Sequence, residues 1–154
     1  MGGRIVVGVD GSAASVAALA WAGRHAAATG GSVEVVTVWE RDPYAAAPPM
    51  GAPGIPAGIP VASAEVDAAV AEEARDAALF AVTEAGLDEL GVPVQLREMQ
   101  GHPAPVLVEI SRDADLVVVG PSGHGAFVGM LLGSVASHLI THAHCPVVVV
   151  RGGD

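Results

Sequence analysis

The chain is 154 residues long, 51% hydrophobic, 3% aromatic and 16% charged, with a formal net charge of -10 at pH 7. This length predicts one domain spanning 1–154, and the apolar fraction is too high for a mainly disordered chain. All seven basic residues are arginine (Arg4, Arg24, Arg41, Arg75, Arg97, Arg112, Arg151), which excludes a Walker A loop, a pyridoxal Schiff base and a protein kinase, and their scatter leaves no basic stripe for a nucleic-acid duplex.

Arg4–Val9 is a β-branched run closed by Asp10-Gly11-Ser12 and predicts a buried strand followed by a turn. Ser12 is placed to cap a helix over Ala13–Ala28, with Val16, Leu19 and Ala20 on one face, stopped by Thr29-Gly30-Gly31. Val33–Trp39 predicts the second strand. Residues 40–62 carry Pro43, Pro48, Pro49, Pro53, Pro56 and Pro60 and read as a long loop, either a surface excursion or a lid. Ser63 opens a second helix reaching about Leu90, with Val66, Val70, Leu79 and Val82 on its apolar side and Gly91 ending it. Val92–Met99 predicts a third strand, and Pro93 suits a sheet edge. A short helix opens at Gly101-His102-Pro103-Ala104-Pro105 and turns Val106, Leu107 and Ile110 inward. Asp115–Gly120 is a fourth strand, Gly133–His142 a last helix and Pro146–Arg151 a fifth strand.

Continuous apolar strands alternating with helices predict an α/β domain whose parallel sheet is covered on both faces. Ligands of such sheets bind beyond the carboxyl ends of the strands where the winding reverses, here between the loops after the first and fourth strands. The second of these loops places Gly120, Gly123, Gly125 and Gly129 ahead of Gly133-Ser134 at a helix start. Free N–H groups and the positive dipole end of a helix favour an anion, so the segment reads as a backbone phosphate cradle, or else as an irregular turn that Ser134 merely caps. No G-x-G-x-x-G follows the first strand, which weakens NAD and FAD as ligands.

The spacing Gly120-x2-Gly123-x9-Gly133-Ser134 resembles the nucleotide motif of the ATP-binding universal stress proteins. Val6-Val7-Gly8-Val9-Asp10-Gly11-Ser12, Ala114–Gly120 and His144–Val150 agree with the same family, so the resemblance covers nearly the whole chain. It implies a Rossmann-like five-stranded sheet in the order 3-2-1-4-5. It also implies ATP held with Mg2+ or Mn2+, the ion bridging phosphates rather than sitting in a protein cage. Residue by residue, Gly120 and Gly123 would admit backbone amides to ribose and phosphates. Gly133, Ser134 and Val135 would hold the terminal phosphates, and Asp10 would lie beside the ribose or the metal. Gly8 would lie under the nucleoside, Val38 would meet adenine through its backbone, and Val119 would line the pocket. One departure stands out: where the family commonly has a small hydroxyl residue and then a basic one, this chain has Pro121 and Ser122. One N–H and one positive charge are lost there, which His124, when protonated, would offset in part.

His138, His142 and His144 read as partners of a helix C-terminus rather than as a zinc site, and Cys145 as a small buried hydrophobe rather than a redox thiol. Asp113 and Asp115 read as solvated loop residues. The single cysteine, a start without a signal-peptide core and apolar runs too short to span a bilayer make a cytoplasmic chain with no membrane partner the expectation. The apolar last strand, Val147–Val150, is an edge that would pair with another chain, and the resemblance implies a homodimer. The combined reading is a nucleotide-binding protein of stress adaptation with slow hydrolysis at most and no catalytic residues. Two alternatives stay open: an interaction module of the same fold that binds no nucleotide, and an ATP-splitting or adenylyl-transfer enzyme.

Overall fold

Five runs of mostly β-branched residues form strands: β1 (Arg4–Gly8), β2 (Ser32–Trp39), β3 (Val94–Gln100), β4 (Leu116–Val119) and β5 (Val147–Val149). The computed structural model describes residues 2–40, 64–123 and 132–152. Within them every strand pair is parallel and the sheet runs β3-β2-β1-β4-β5, the expected order. The helices are α1 (Ala13–Thr29), α2 (Ala64–Glu84), α3 (Leu87–Leu90), α4 (Pro103–Ile110) and α5 (Ser134–His142).

Strand alternation divides the core into two layers. Ile5, Val7, Val33 and Val35 pack with Ala18, Leu19 and Ala22 of α1, Ala78 and Ala81 of α2, and Leu87 of α3. Val6, Val36, Val117 and Val119 pack with Leu107 and Ile110 of α4 and Ala136 and Leu139 of α5. Both faces of β1 are thereby buried, which is why its sequence is a continuous apolar run and not an alternating one. Among the described residues, the one acidic side chain buried on the sheet, Glu34, is held between Arg4 of β1 and Arg97 of β3. The Arg4 Nε donates to it at 2.5 Å and the Arg97 Nη1 at 3.3 Å, an ionic tie across three strands.

Ser12 caps α1 as expected: its backbone is extended and its hydroxyl accepts the Ser15 N–H at 3.2 Å. The second helix departs from expectation in two ways. It is interrupted at Gly86, whose φ of 74° is the left-handed conformation glycine adopts without penalty, so the chain makes α2 and a separate turn of α3 instead of one helix to Leu90. Its buried face is also Ala74, Ala78, Ala81 and Val82, which leaves Leu79 46% exposed. α2 meets its neighbours with small residues, and the position next to Ala78 is rotated out of the contact.

The third strand starts at Val94 rather than Val92, because Pro93 has no N–H to give the ladder; its carbonyl instead accepts from the Val33 N–H at 2.9 Å. As Pro93 suggested, β3 is an edge. β5, the other edge, is shorter than its apolar run, although the Val150 N–H still donates to the Val119 carbonyl at 2.9 Å. Most of the proline-rich segment (41–63), and His124, Gly125 and Gly129, lie outside the described residues. Among the described residues, no helix is long and apolar enough to cross a membrane.

Candidate functional site

β1 has β2 on one side and β4 on the other, so the winding of the sheet reverses at its carboxyl end. There the β1–α1 turn, the segment after β4 and the starts of α4 and α5 enclose a cavity of about 310 Å³. Gly8, Asp10, Val38, Val119, Gly120, Gly123, Gly133, Ser134 and Val135, the nine positions singled out in the sequence, all line it. Buried Val36, Leu107, Val119 and Ala136 supply an apolar part of the lining, and Asp10, Ser12, Ser122 and Ser134 a polar part.

The glycines allow close approach. A side chain at Gly123 would run into the Asp10 carboxylate, and one at Gly133 would meet Ser122 Cα at 3.1 Å. The segment after β4 is thus folded against both the β1–α1 turn and the start of α5. One consequence differs from the expected cradle: the Gly133 N–H donates to the Pro121 carbonyl at 2.5 Å, so this amide is engaged within the protein. Gly133 is the N-cap of α5, and Ser134 is its first helical residue rather than its cap. Ser134, Val135 and Ala136, at the first three helical positions, have N–H groups that no carbonyl within the helix can accept from.

Two other helices start at the same rim. At α1, Asp10 Oδ1 accepts from the Ser12 N–H at 3.0 Å and from the Ser12 hydroxyl at 2.6 Å, placing a carboxylate where the helix dipole favours one. At α4, Pro103 occupies the first helical position and Pro105 the third, and neither has an N–H. Among the described lining residues, Asp10 carries the only charged side chain. The cavity can therefore receive an apolar, flat group against Val36, Val38 and Leu107 and an anionic group at α5. These residues fit a nucleotide, and Asp10 is the carboxylate of the described lining that could help hold a divalent ion. No three His, Cys, Asp or Glu residues are grouped for a metal among the described residues.

Sequence reasoning missed Val9, Ser12, Ser15, Val36, Pro103, Leu107 and Ala136 as lining residues. It also missed a polar contact beside them, where His102 Nδ1 lies 2.8 Å from Glu40 Oε1. The start of α4 was the available signal, since a helix that follows β3 in a parallel sheet begins at the ligand end. The histidines of α5 act at the helix end: the His138 and His142 rings stack at 4.3 Å and His142 Nδ1 donates to the His138 carbonyl at 3.1 Å. Cys145 is half-buried; desolvation pushes its thiol up from the ordinary value, the Asp115 charge adds to this, and a hydrogen bond from the Val117 backbone opposes it.

The sequence profile of the universal stress protein family matches residues 1–151. A universal stress protein of Mycobacterium tuberculosis is 39% identical over 151 residues, which are 97% of this chain and 48% of that protein. The chain thus spans about half the length of the Mycobacterium tuberculosis relatives it matches. A universal stress protein solved in complex with cAMP superposes with a TM-score of 0.60 at 27% identity, covering 99% of this chain and 100% of the other. An Arabidopsis thaliana protein of the family with AMP bound has a TM-score of 0.62 at 17% identity, covering 97% and 92%. By sequence over residues 1–151 and by fold, the chain belongs to the universal stress protein family.

Proposed function

We propose that the cavity binds an adenine nucleotide and that the protein is a nucleotide-responsive regulator of stress adaptation, with slow hydrolysis at most. The observation that carries this is the convergence of all nine motif positions on one cavity, with an apolar lining on one side and the α5 start on the other. The cAMP and AMP of the two solved relatives support the class of ligand. ATP with Mg2+ or Mn2+ is the ligand the family motif implies. In that arrangement the Val38 backbone meets adenine, Gly8 and Asp10 lie at the nucleoside, Gly120 and Gly123 at ribose and phosphate, and Ser134 and Val135 at the phosphates. Efficient phosphoryl transfer calls for cationic groups at the transferred phosphoryl, and the described lining holds none. We further propose a cytoplasmic homodimer formed through the β5 edge.

A second reading, an interaction module that binds no nucleotide, is favoured by the Gly133 amide's hydrogen bond to Pro121. Calorimetric titration of the purified protein with ATP and magnesium, with product followed over hours, separates the readings. Binding heat with negligible turnover is expected. No heat and no thermal shift would remove nucleotide binding, and rapid turnover would make the protein an enzyme.

A further inference from the structure

We propose that His138 and His142 form a two-imidazole site for a divalent transition-metal ion of the Zn2+ or Ni2+ type on the second half of α5. Neither residue lines the cavity, and the proposal stands apart from the nucleotide reading above.

Residues four apart on a helix lie on one face, one turn from each other. In α5 the two rings are stacked, with centroids 4.3 Å apart and planes 23° from parallel. Two metal–nitrogen bonds of about 2.0–2.1 Å at a tetrahedral angle hold their nitrogens about 3.4 Å apart, a spacing that small ring rotations reach from this stack. His142 is exposed and His138 half-buried, so an ion meets them from solvent.

The hydrogen bonding prepares one ring as a ligand. A carbonyl oxygen only accepts, so the 3.1 Å contact of His142 Nδ1 with the His138 carbonyl fixes a proton on Nδ1. In the neutral ring the free lone pair is then on Nε2. A metal-binding histidine gives its other ring N–H to a carbonyl or carboxylate in just this way. A helix-end role alone does not account for the arrangement. In an α-helix that ends at His142, the His138 carbonyl already accepts the His142 backbone N–H, so the ring satisfies no orphaned carbonyl. Two imidazolium ions stacked this closely repel, so the stack favours states with at least one neutral ring.

Imidazole suits Zn2+, Ni2+ and Cu2+, whereas Mg2+ and Mn2+ prefer oxygen ligands. The ion held here therefore differs from one that a nucleotide would bring into the cavity. Among the described residues no third His, Cys, Asp or Glu is grouped with the pair, so water fills the remaining positions. Once bound, the ion ties together two successive turns of α5, whose first turn is part of the cavity wall.

Zinc calorimetry and thermal unfolding of the full chain, free of any affinity tag, test the site. Zinc should bind and raise the melting temperature, and excess Mg2+ should not displace it. His138→Ala and His142→Ala should each weaken zinc binding by at least about tenfold, the smallest loss expected when even an outer-shell partner of a ligand is removed. Cys145→Ser should bind zinc like the unmodified chain. No zinc binding at millimolar concentration, unchanged affinity in either alanine variant, or affinity lost in a folded Cys145→Ser overturns the proposal. Should an alanine variant not fold, the imidazole NMR signals of the unmodified chain decide. Sub-stoichiometric Ni2+ should broaden those of His138 and His142 first, and broadening of His25 or His102 ahead of them overturns the proposal.

Discussion

Gly133 meets two demands at once. Its amide closes a hydrogen bond onto Pro121, and its bare α-carbon lets Ser122 come within reach of α5, where a β-carbon would stand 3.1 Å from Ser122 Cα and 3.4 Å from the Pro121 oxygen. A branched side chain there must push residues 121 and 122 away from the helix. Gly133→Val is therefore expected to lower nucleotide affinity by more than about tenfold while costing about 1–3 kcal/mol of stability, the usual range for overpacking. Calorimetry paired with thermal unfolding checks this, and full affinity in the variant would place binding elsewhere. At this scale the sequence was informative about which residues and less so about which way they face. The spacing of Gly120, Gly123, Gly133 and Ser134 is visible in the chain. The direction of the Gly133 amide is not, because it depends on a carbonyl twelve positions earlier whose place is set by the tertiary fold.

α1 and α3 cross at Gly23. A β-carbon at this position would lie 2.9 Å from Leu87 Cδ1 and 3.1 Å from Leu90 Cδ1, and Leu87 is fully buried. Two effects oppose one another in Gly23→Ala: helix propensity gains about 1 kcal/mol, and overpacking costs about 1–3 kcal/mol. The steric cost should win, and urea unfolding should show a net loss of about 1 kcal/mol. A stabilised variant would mean that α3, only four residues long, gives way instead. The same region shows why the second helix was legible in existence and not in detail. Gly86 in a helical pattern is compatible with continuation or with a break, and only its positive φ decides. The face of α2 was read from its larger apolar residues; of these Val82 is buried and Leu79 is not, and the rest of the contact is made by alanines that carry little weight in any reading of apolar periodicity. Strands were easier, since a run such as Leu116–Val119 can be buried on both faces only inside a covered parallel sheet.

At the scale of the whole molecule, β5 forms one edge of the sheet. The strand is apolar throughout, half-buried, and among the described residues has a hydrogen-bonded neighbour on one side only, β4. An edge of this composition without charge or proline is suited to pairing. A dimer is expected by size-exclusion chromatography with light scattering, and a monomer at micromolar concentration counts against the proposed homodimer. The strand order that puts β5 there followed from alternation of strand and helix together with the family motif. The ionic tie of Glu34 to Arg4 and Arg97 did not, because residues 4, 34 and 97 become neighbours only once β1, β2 and β3 are side by side. The register of the last two strands has a consequence of its own. Val119 is part of the cavity wall, and its partner across the ladder is Val149 on the outermost strand. A single strand spacing of about 4.8 Å separates them. A ligand that shifts Val119 and a second subunit that grips Val149 would act on the two ends of one rung, and two equilibria joined in this way must each change the other by the same factor.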